Sequence, residues 1–198
     1  DPVYVNPLAP YYLLQHNERE NDNVLWSLDW TYRAARGWET YGEFLVDDLQ
    51  YERSTGSPDK YGVTLGQAWY GVLGRTDVEF TAEYSQVRKW TYTHGRTEHR
   101  FAHDGDPIGF DLGPDSDRLT LEGAFSPSAP WTVLVRYAHS RVGEGSLVEP
   151  FATGDDADTS FPSGEVETGD LVTVELEFDD LDERRGGFLP VDDLAEDA

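Results

Sequence analysis

The chain has 198 residues, enough for one domain with a sizeable core. Its net charge of −24, from 15 basic and 39 acidic side chains, argues against nucleic acid as a partner, because such a surface repels phosphates. Hydrophobic residues make up only 38 % of the chain, and no run approaches the ~18 apolar residues of a membrane-spanning helix, which argues against a helical membrane protein and does not touch a barrel.

There is no cysteine, hence neither a disulfide framework nor a thiolate metal site. Methionine is absent too, and the chain opens at Asp1-Pro2 without a charged segment followed by an apolar one. It reads as a mature piece or internal fragment whose export signal lies elsewhere. The acidity also fits a high-salt habitat.

Taken in chain order, period-two alternation dominates and helical periodicity is nearly absent. Tyr11–His16 is a candidate first strand. From Val24 to Arg33, Val24, Trp26, Leu28, Trp30 and Tyr32 share one face, opposite Leu25, Ser27, Asp29, Thr31 and Arg33. Weaker strands follow at Tyr41–Tyr51 and Gly62–Val72. From Asp77 to Gln86, Val78, Phe80, Ala82 and Tyr84 alternate with acidic and hydroxylated residues. Arg118–Phe125 is again weaker. Trp131, Val133, Val135 and Tyr137 define a further apolar face, as do Val172, Val174, Leu176 and Phe178. The expected fold is all-β, an antiparallel up-and-down meander of seven or eight strands over residues 1–178. Residues 179–198 read as an acidic turn or tail, because eight carboxylates there face only Arg184 and Arg185.

The connections sharpen that expectation. Short links at 34–37, 71–76 and 126–130 alternate with long ones at 17–23, 52–60, 88–117 and 142–169. In a meander, alternate connections emerge at the same end, so all the long loops gather at one end. Outer-membrane barrels have this asymmetry, and their strands of ~9–11 residues match the clearest strands here. Aromatics gather near both strand ends, as two interfacial belts would require. Alternation alone fits a soluble barrel with its apolar face inward equally well. Since an Arg or Lys facing lipid at mid-bilayer costs roughly 2–4 kcal/mol, the charge-free apolar faces of the four clearest strands favour the membrane.

The segment 88–117 carries the most chemistry. It is longer than the ~12–15 residues beyond which loops tend to be functional or disordered, and its aromatic content argues for order. It contains Arg88, Lys89, Arg96 and Arg100, three histidines (His94, His99, His103) and the rings of Trp90, Tyr92, Phe101 and Phe110. Rings among cationic donors suit a sugar, with the cations steering carboxylated or sulfated groups. The alternative is a plug folded into the lumen, its arginines paired with wall carboxylates. The candidate ligand-binding residues are Trp90, Tyr92, His94, Arg96, Arg100 and His103. The histidine spacing matches no zinc signature, the aspartates at 115–117 and 155–158 fit no EF-hand, and no cofactor motif is present. Wall carboxylates such as Glu43, Asp47, Glu79, Glu83 and Glu122 are routine in polar barrel interiors, so a non-catalytic role is expected.

Several short motifs resemble one family in order and spacing. They are Asn6-Pro7, Gln15-His16, Asp22-Asn23, Tyr41-Gly42-Glu43-Phe44-Leu45-Val46-Asp47-Asp48, Pro58-Asp59-Lys60 and Glu83-Tyr84. Further on come Trp90-Thr91-Tyr92-Thr93-His94, His103-Asp104-Gly105, Pro107 with Gly109, and Leu112-Gly113-Pro114-Asp115-Ser116-Asp117. Together they resemble the Wzi-type capsule-assembly outer-membrane proteins over about residues 6–143. The resemblance implies a Gram-negative outer-membrane β-barrel acting as a non-catalytic surface lectin, whose partners are capsular or exported polysaccharide and outer-membrane lipid. Barrels of that family have more than eight strands, so this chain would be a portion of one. A terminal aromatic, usual in such barrels, is replaced here by Ala198. A porin-like channel for small solutes and a soluble β-barrel carbohydrate-active protein remain the alternatives.

Overall fold

A computed structural model describes residues 25–48, 56–75, 77–128, 130–152, 154–156 and 160–178. The expected strand Tyr11–His16 and the acidic segment 179–198 lie outside the described residues. Seven strands form one antiparallel sheet: β1 (Trp26–Ala35), β2 (Trp38–Asp48), β3 (Lys60–Tyr70), β4 (Val78–Val87), β7 (Ser116–Ser128), β8 (Trp131–Val142) and β9 (Glu167–Phe178). The strands lie side by side in chain order, so the meander expected from the alternation is present. A two-stranded ribbon, β5 (Ala102–His103) with β6 (Asp106–Pro107), interrupts the loop between β4 and β7.

Strand limits move by a few residues from the sequence expectation. β2 and β3 begin at Trp38 and Lys60 rather than at Tyr41 and Gly62, and β7 runs on to Ser128. The hydrogen-bonded ladder, not side-chain polarity, sets these ends, and a ladder continues wherever its partner strand continues. Tight turns at the short-link end place Gly37, Gly71 and Gly74 at positive φ, where a Cβ is disfavoured. Arg75 grips the Asp77 carboxylate through two hydrogen bonds of 2.6 and 3.1 Å in the β3–β4 turn.

Register decides which side chains share a face. Across the sheet, Leu28 faces Phe44, Phe44 faces Val63, Trp69 faces Phe80, Val78 faces Phe125, Phe125 faces Val133, and Val133 faces Leu176. Trp26, Leu28, Trp30, Tyr32, Trp38, Phe44, Leu65, Phe80, Leu119, Phe125, Trp131, Val135, Val172, Val174, Leu176 and Phe178 are all large, all exposed, and all on that one face. The other face carries Ser27, Asp29, Glu43, Thr64, Glu83, Arg118, Glu122, Arg136 and Glu175. Toward the long-loop end, the apolar face gives way to Tyr84, Asp117 and Arg141, joined by hydrogen bonds, and to His139 with Asp170.

Among the described residues no core lies against the apolar face. Among the described residues, the buried hydrophobic side chains are Ala68, Val87, Trp90 and Tyr92. Three of these lie where the sheet's polar side meets the loop after β4, so the packed centre sits at the long-loop end.

On the polar face the ring of Tyr41 lies flat across Gly66, its cross-strand partner, and its hydroxyl donates to Glu83 at 2.8 Å. A Cβ at Gly66 would overlap that ring. Gly66→Val is therefore expected to destabilise the sheet by roughly 1–3 kcal/mol, the usual cost of overpacking. The denaturant midpoint of the folded protein measures it, and an unchanged midpoint would show that the ring can move aside freely.

Candidate functional site

The three long connections, 49–59, 88–115 and 143–166, all leave the same end of the sheet. The second begins with a tight turn. Thr91 and Thr93 donate backbone N–H groups to the carbonyls of Arg88 and Trp90, and the Thr93 hydroxyl donates to Trp90 O at 2.6 Å. Arg88 N–H and the Thr91 hydroxyl both donate to the carbonyl of Tyr61 on β3. Tyr92 takes a positive φ of 71°, and its N–H donates to the Asp47 carboxylate of β2 at 2.8 Å. Those bonds sink the run: Thr91 and Thr93 are fully buried, Trp90 is 7 % exposed and Tyr92 3 %.

Beyond this turn the loop folds back over the polar face. Phe101 N–H donates to Tyr92 O, and Phe110 N–H donates to the Tyr92 hydroxyl at 3.2 Å. The ribbon β5–β6 turns at Asp104-Gly105, with φ of 51° and 96°. Such an Asp-Gly pair at positive φ is the hairpin signal that could have located the ribbon from sequence. Arg118 on the sheet holds the Asp111 carboxylate of the loop with bonds of 2.6 and 2.8 Å, and its guanidinium lies 5.0 Å from the Phe110 ring. The pairing is thus the reverse of the one expected for a plug: a wall arginine grips a loop carboxylate.

Asp115 joins the second long loop to the third. Its carboxylate is fully buried and accepts Gly145 N–H at 3.0 Å, Ser163 N–H at 3.0 Å and the Ser163 hydroxyl at 2.6 Å. Its carbonyl accepts Gly143 N–H. Around it Phe151 meets Trp90 edge-on at 5.1 Å, Arg88 lies over Phe161, and Arg100 donates to the Val148 carbonyl at 3.1 Å. The two loops form one cap, and sequence alone did not single out Asp115 or Ser163 as its anchor. A burial of charge satisfied by backbone N–H groups from a distant loop leaves no local pattern.

The six residues proposed from sequence fall into two groups. Trp90 and Tyr92 point into protein, their rings packed on Phe151 and Phe101. His94, Arg96, Arg100 and His103 lie further out. His94 is half-buried, its ring 5.0 Å from that of His99, and its Nδ1 accepts Arg96 N–H. Arg96 is exposed, Arg100 is half-buried beneath the third loop, and His103 stands on the ribbon beside Asp104. Among the described residues no group of three or more His, Asp or Glu side chains is placed to hold a metal ion.

Between the cap and the polar wall runs a cleft of about 580 Å³. Tyr92, Phe101, Ile108 and Phe110 line its loop side, and Ser27, Glu43, Thr64, Glu83, Ser85 and Arg118 its wall side. A second hollow of about 460 Å³ continues along the wall past Asp29, Glu39 and Tyr41, sharing Glu43, Thr64 and Glu83 with the first. No family model, curated protein or solved structure matches this chain.

Two outcomes follow from this geometry. Asp115→Ala strands the N–H groups of Gly145 and Ser163, and hydrogen bonds to a charged group contribute about 1.5–3 kcal/mol each. Limited proteolysis should then cut within 143–166 at least tenfold faster while the sheet stays resistant. Burial, helped by the nearby charges of His99, Lys60 and Arg96, lowers the pKa of His94 below its ordinary value. The unfolded loop therefore takes up the proton more readily than the folded one. Cap stability is full above the ordinary histidine range and declines as pH falls through it. Protection factors of the Thr91–Thr93 amides, taken against the intrinsic exchange rate at each pH, should fall on acidification, and His94→Gln should flatten the response.

Proposed function

We propose that this chain is part of a Gram-negative outer-membrane β-barrel that binds a surface polysaccharide without catalysis, as the resemblance to capsule-assembly lectins implies. The observation that carries the reading is the side on which the loop after β4 lies. It folds over the polar face, as a loop lining a barrel interior would, and leaves the apolar face of Trp26, Leu28, Trp30, Phe44, Phe80, Val135 and Val174 exposed. An exposed apolar surface of this extent is the mark of a membrane or protein contact. No helix among the described residues is long and apolar enough to cross a membrane; on this reading the strands cross it.

On this reading the cap is the outward, glycan-facing end. Trp90 and Tyr92 hold it to the wall, while His94, Arg96, Arg100 and His103 form its outer rim and meet the polysaccharide first. A porin-like channel is the second reading, favoured by the two connected hollows along an acidic wall; single-channel conductance would reveal it.

Fractionation of the full-length protein, with gel mobility compared before and after boiling, tests the membrane assignment. Recovery in the outer membrane with a shift on boiling is expected; recovery as soluble protein without a shift would sink it. A sharper probe is Val135→Lys. If the face meets lipid, the substitution costs roughly 2–4 kcal/mol in vesicle-inserted protein; if it meets water, the change stays within about 0.5 kcal/mol. For the glycan, the pair Arg96→Ala and His103→Ala should reduce retention of surface polysaccharide several-fold at normal surface expression. Unchanged retention would remove the rim from the binding surface.

A further inference from the structure

The cleft beneath the cap has a chemistry distinct from the rim. The loop's cations are turned away from it: Arg88 lies over Phe161, Lys89 over Trp90, and Arg100 donates to the carbonyls of His94 and Val148. Arg118, the one cation in the cleft lining, is occupied by Asp111. What the wall presents instead is carboxylate. Glu43 accepts only the Ser27 hydroxyl and Glu83 only the Tyr41 hydroxyl among their hydrogen bonds, and neither has a basic partner among the described residues.

The register adds a cost. Asp29 and Glu43 stand directly opposite one another on β1 and β2. Like charges in that relation destabilise a sheet. A cation bound beside Glu43 would offset the repulsion.

Tyr92 supplies an independent pointer. Its side chain lines the cleft, is more than nine-tenths buried, and its hydroxyl accepts Phe110 N–H. The hydroxyl proton has no acceptor among the described protein atoms, and a buried donor left unspent costs about 1–3 kcal/mol. Burial keeps the phenol protonated and therefore a donor at neutral pH. The cleft thus offers carboxylate acceptors on one wall and a buried donor on the other. Phe101, Ile108 and Phe110 provide an apolar flank, and its volume lies within the roughly 300–1,000 Å³ of small-molecule sites.

We propose that this cleft binds an amine-bearing sugar unit: its ammonium sits between Glu43 and Glu83, a ring or hydroxyl oxygen accepts the Tyr92 proton, and its C–H face rests on Phe101 and Phe110. The inference rests on the saccharide-binding reading above and gives it a substrate class. It departs from the carboxylated or sulfated sugars that the loop's basic residues suggest in sequence, because those residues are spent on protein partners or lie at the outer rim.

Calorimetry on the full chain folded in detergent at pH 6 tests it, with three tetrasaccharides as probes: glucosamine, N-acetylglucosamine and galacturonate. Glucosamine tetramer should bind at least tenfold tighter than the N-acetylated one, and galacturonate weakest. Added salt should weaken the first, since its attraction to the carboxylates is screened. Glu43→Gln combined with Glu83→Gln should erase the tenfold preference, and Tyr92→Phe should reduce affinity several-fold, with the boiling shift unchanged in both. Equal or tighter binding of either non-cationic probe overturns this inference and leaves the saccharide reading standing. Equal binding of spermidine and glucosamine tetramer would show a site for charge alone and overturn the sugar part. Binding of none of the sugars overturns both.

Discussion

Backbone register is the constraint on which the rest of this structure depends. Because side chains alternate across a strand, a slip of one residue would carry every apolar side chain to the opposite face. Six ladders in compatible register, with bulges confined to strand ends such as Tyr32/Ala35 and Phe125/Ser128, keep Trp26 through Phe178 on one side. The polar side is then free to carry carboxylates, hydroxyls and the wall arginines. An ordinary soluble sheet buries its apolar face on a second layer, and none is present among the described residues. Most of the burial that does occur is at one end, where the loop after β4 meets the wall.

That arrangement divides the stability of the molecule in two. The sheet is held by its ladders and, on the proposed reading, by the lipid around it. The cap is held by a few specific bonds: Asp47 to the backbone of Tyr92, Arg118 to Asp111, and Asp115 to Gly145 and Ser163. Each of these reaches across a large separation in sequence or joins loop to wall. A cap fastened at so few points can loosen without unfolding the sheet, since local openings span a wide range of free energies within one fold.

The rim and the cleft are opposite in charge. Arg96 and His103 are exposed on the outer side of the cap in a chain whose net charge is −24, while Asp29, Glu43 and Glu83 line the polar face beneath it. Paired wall charges such as Arg136 with Glu122 and Arg33 with Glu39 are neutralised within the sheet. Glu43 and Glu83, which have no basic partner among the described residues, line both hollows, so charge there is available to a ligand rather than spent on the fold.

Much of the architecture was legible in the sequence, for local reasons. Period-two alternation at 24–33, 77–86, 131–137 and 171–178 specified strands and their two faces, and alternating link lengths specified a meander with its long loops at one end. Those features depend on neighbours one or two residues apart. The site was less legible. Trp90 and Tyr92 looked like free rings for stacking, but only the tertiary structure decided that Asp47 and Tyr61 draw that turn inward. Nothing near Asp115 announced that it would accept bonds from residues about thirty and fifty positions away. Nor did composition show that Arg118 would be taken up by Asp111 and leave Glu43 and Glu83 as the carboxylates of the cleft. Alternation and turn chemistry are written in short-range order, which a single sequence displays. Which charges end up paired depends on distances between segments far apart in the chain, and only the folded structure sets those distances.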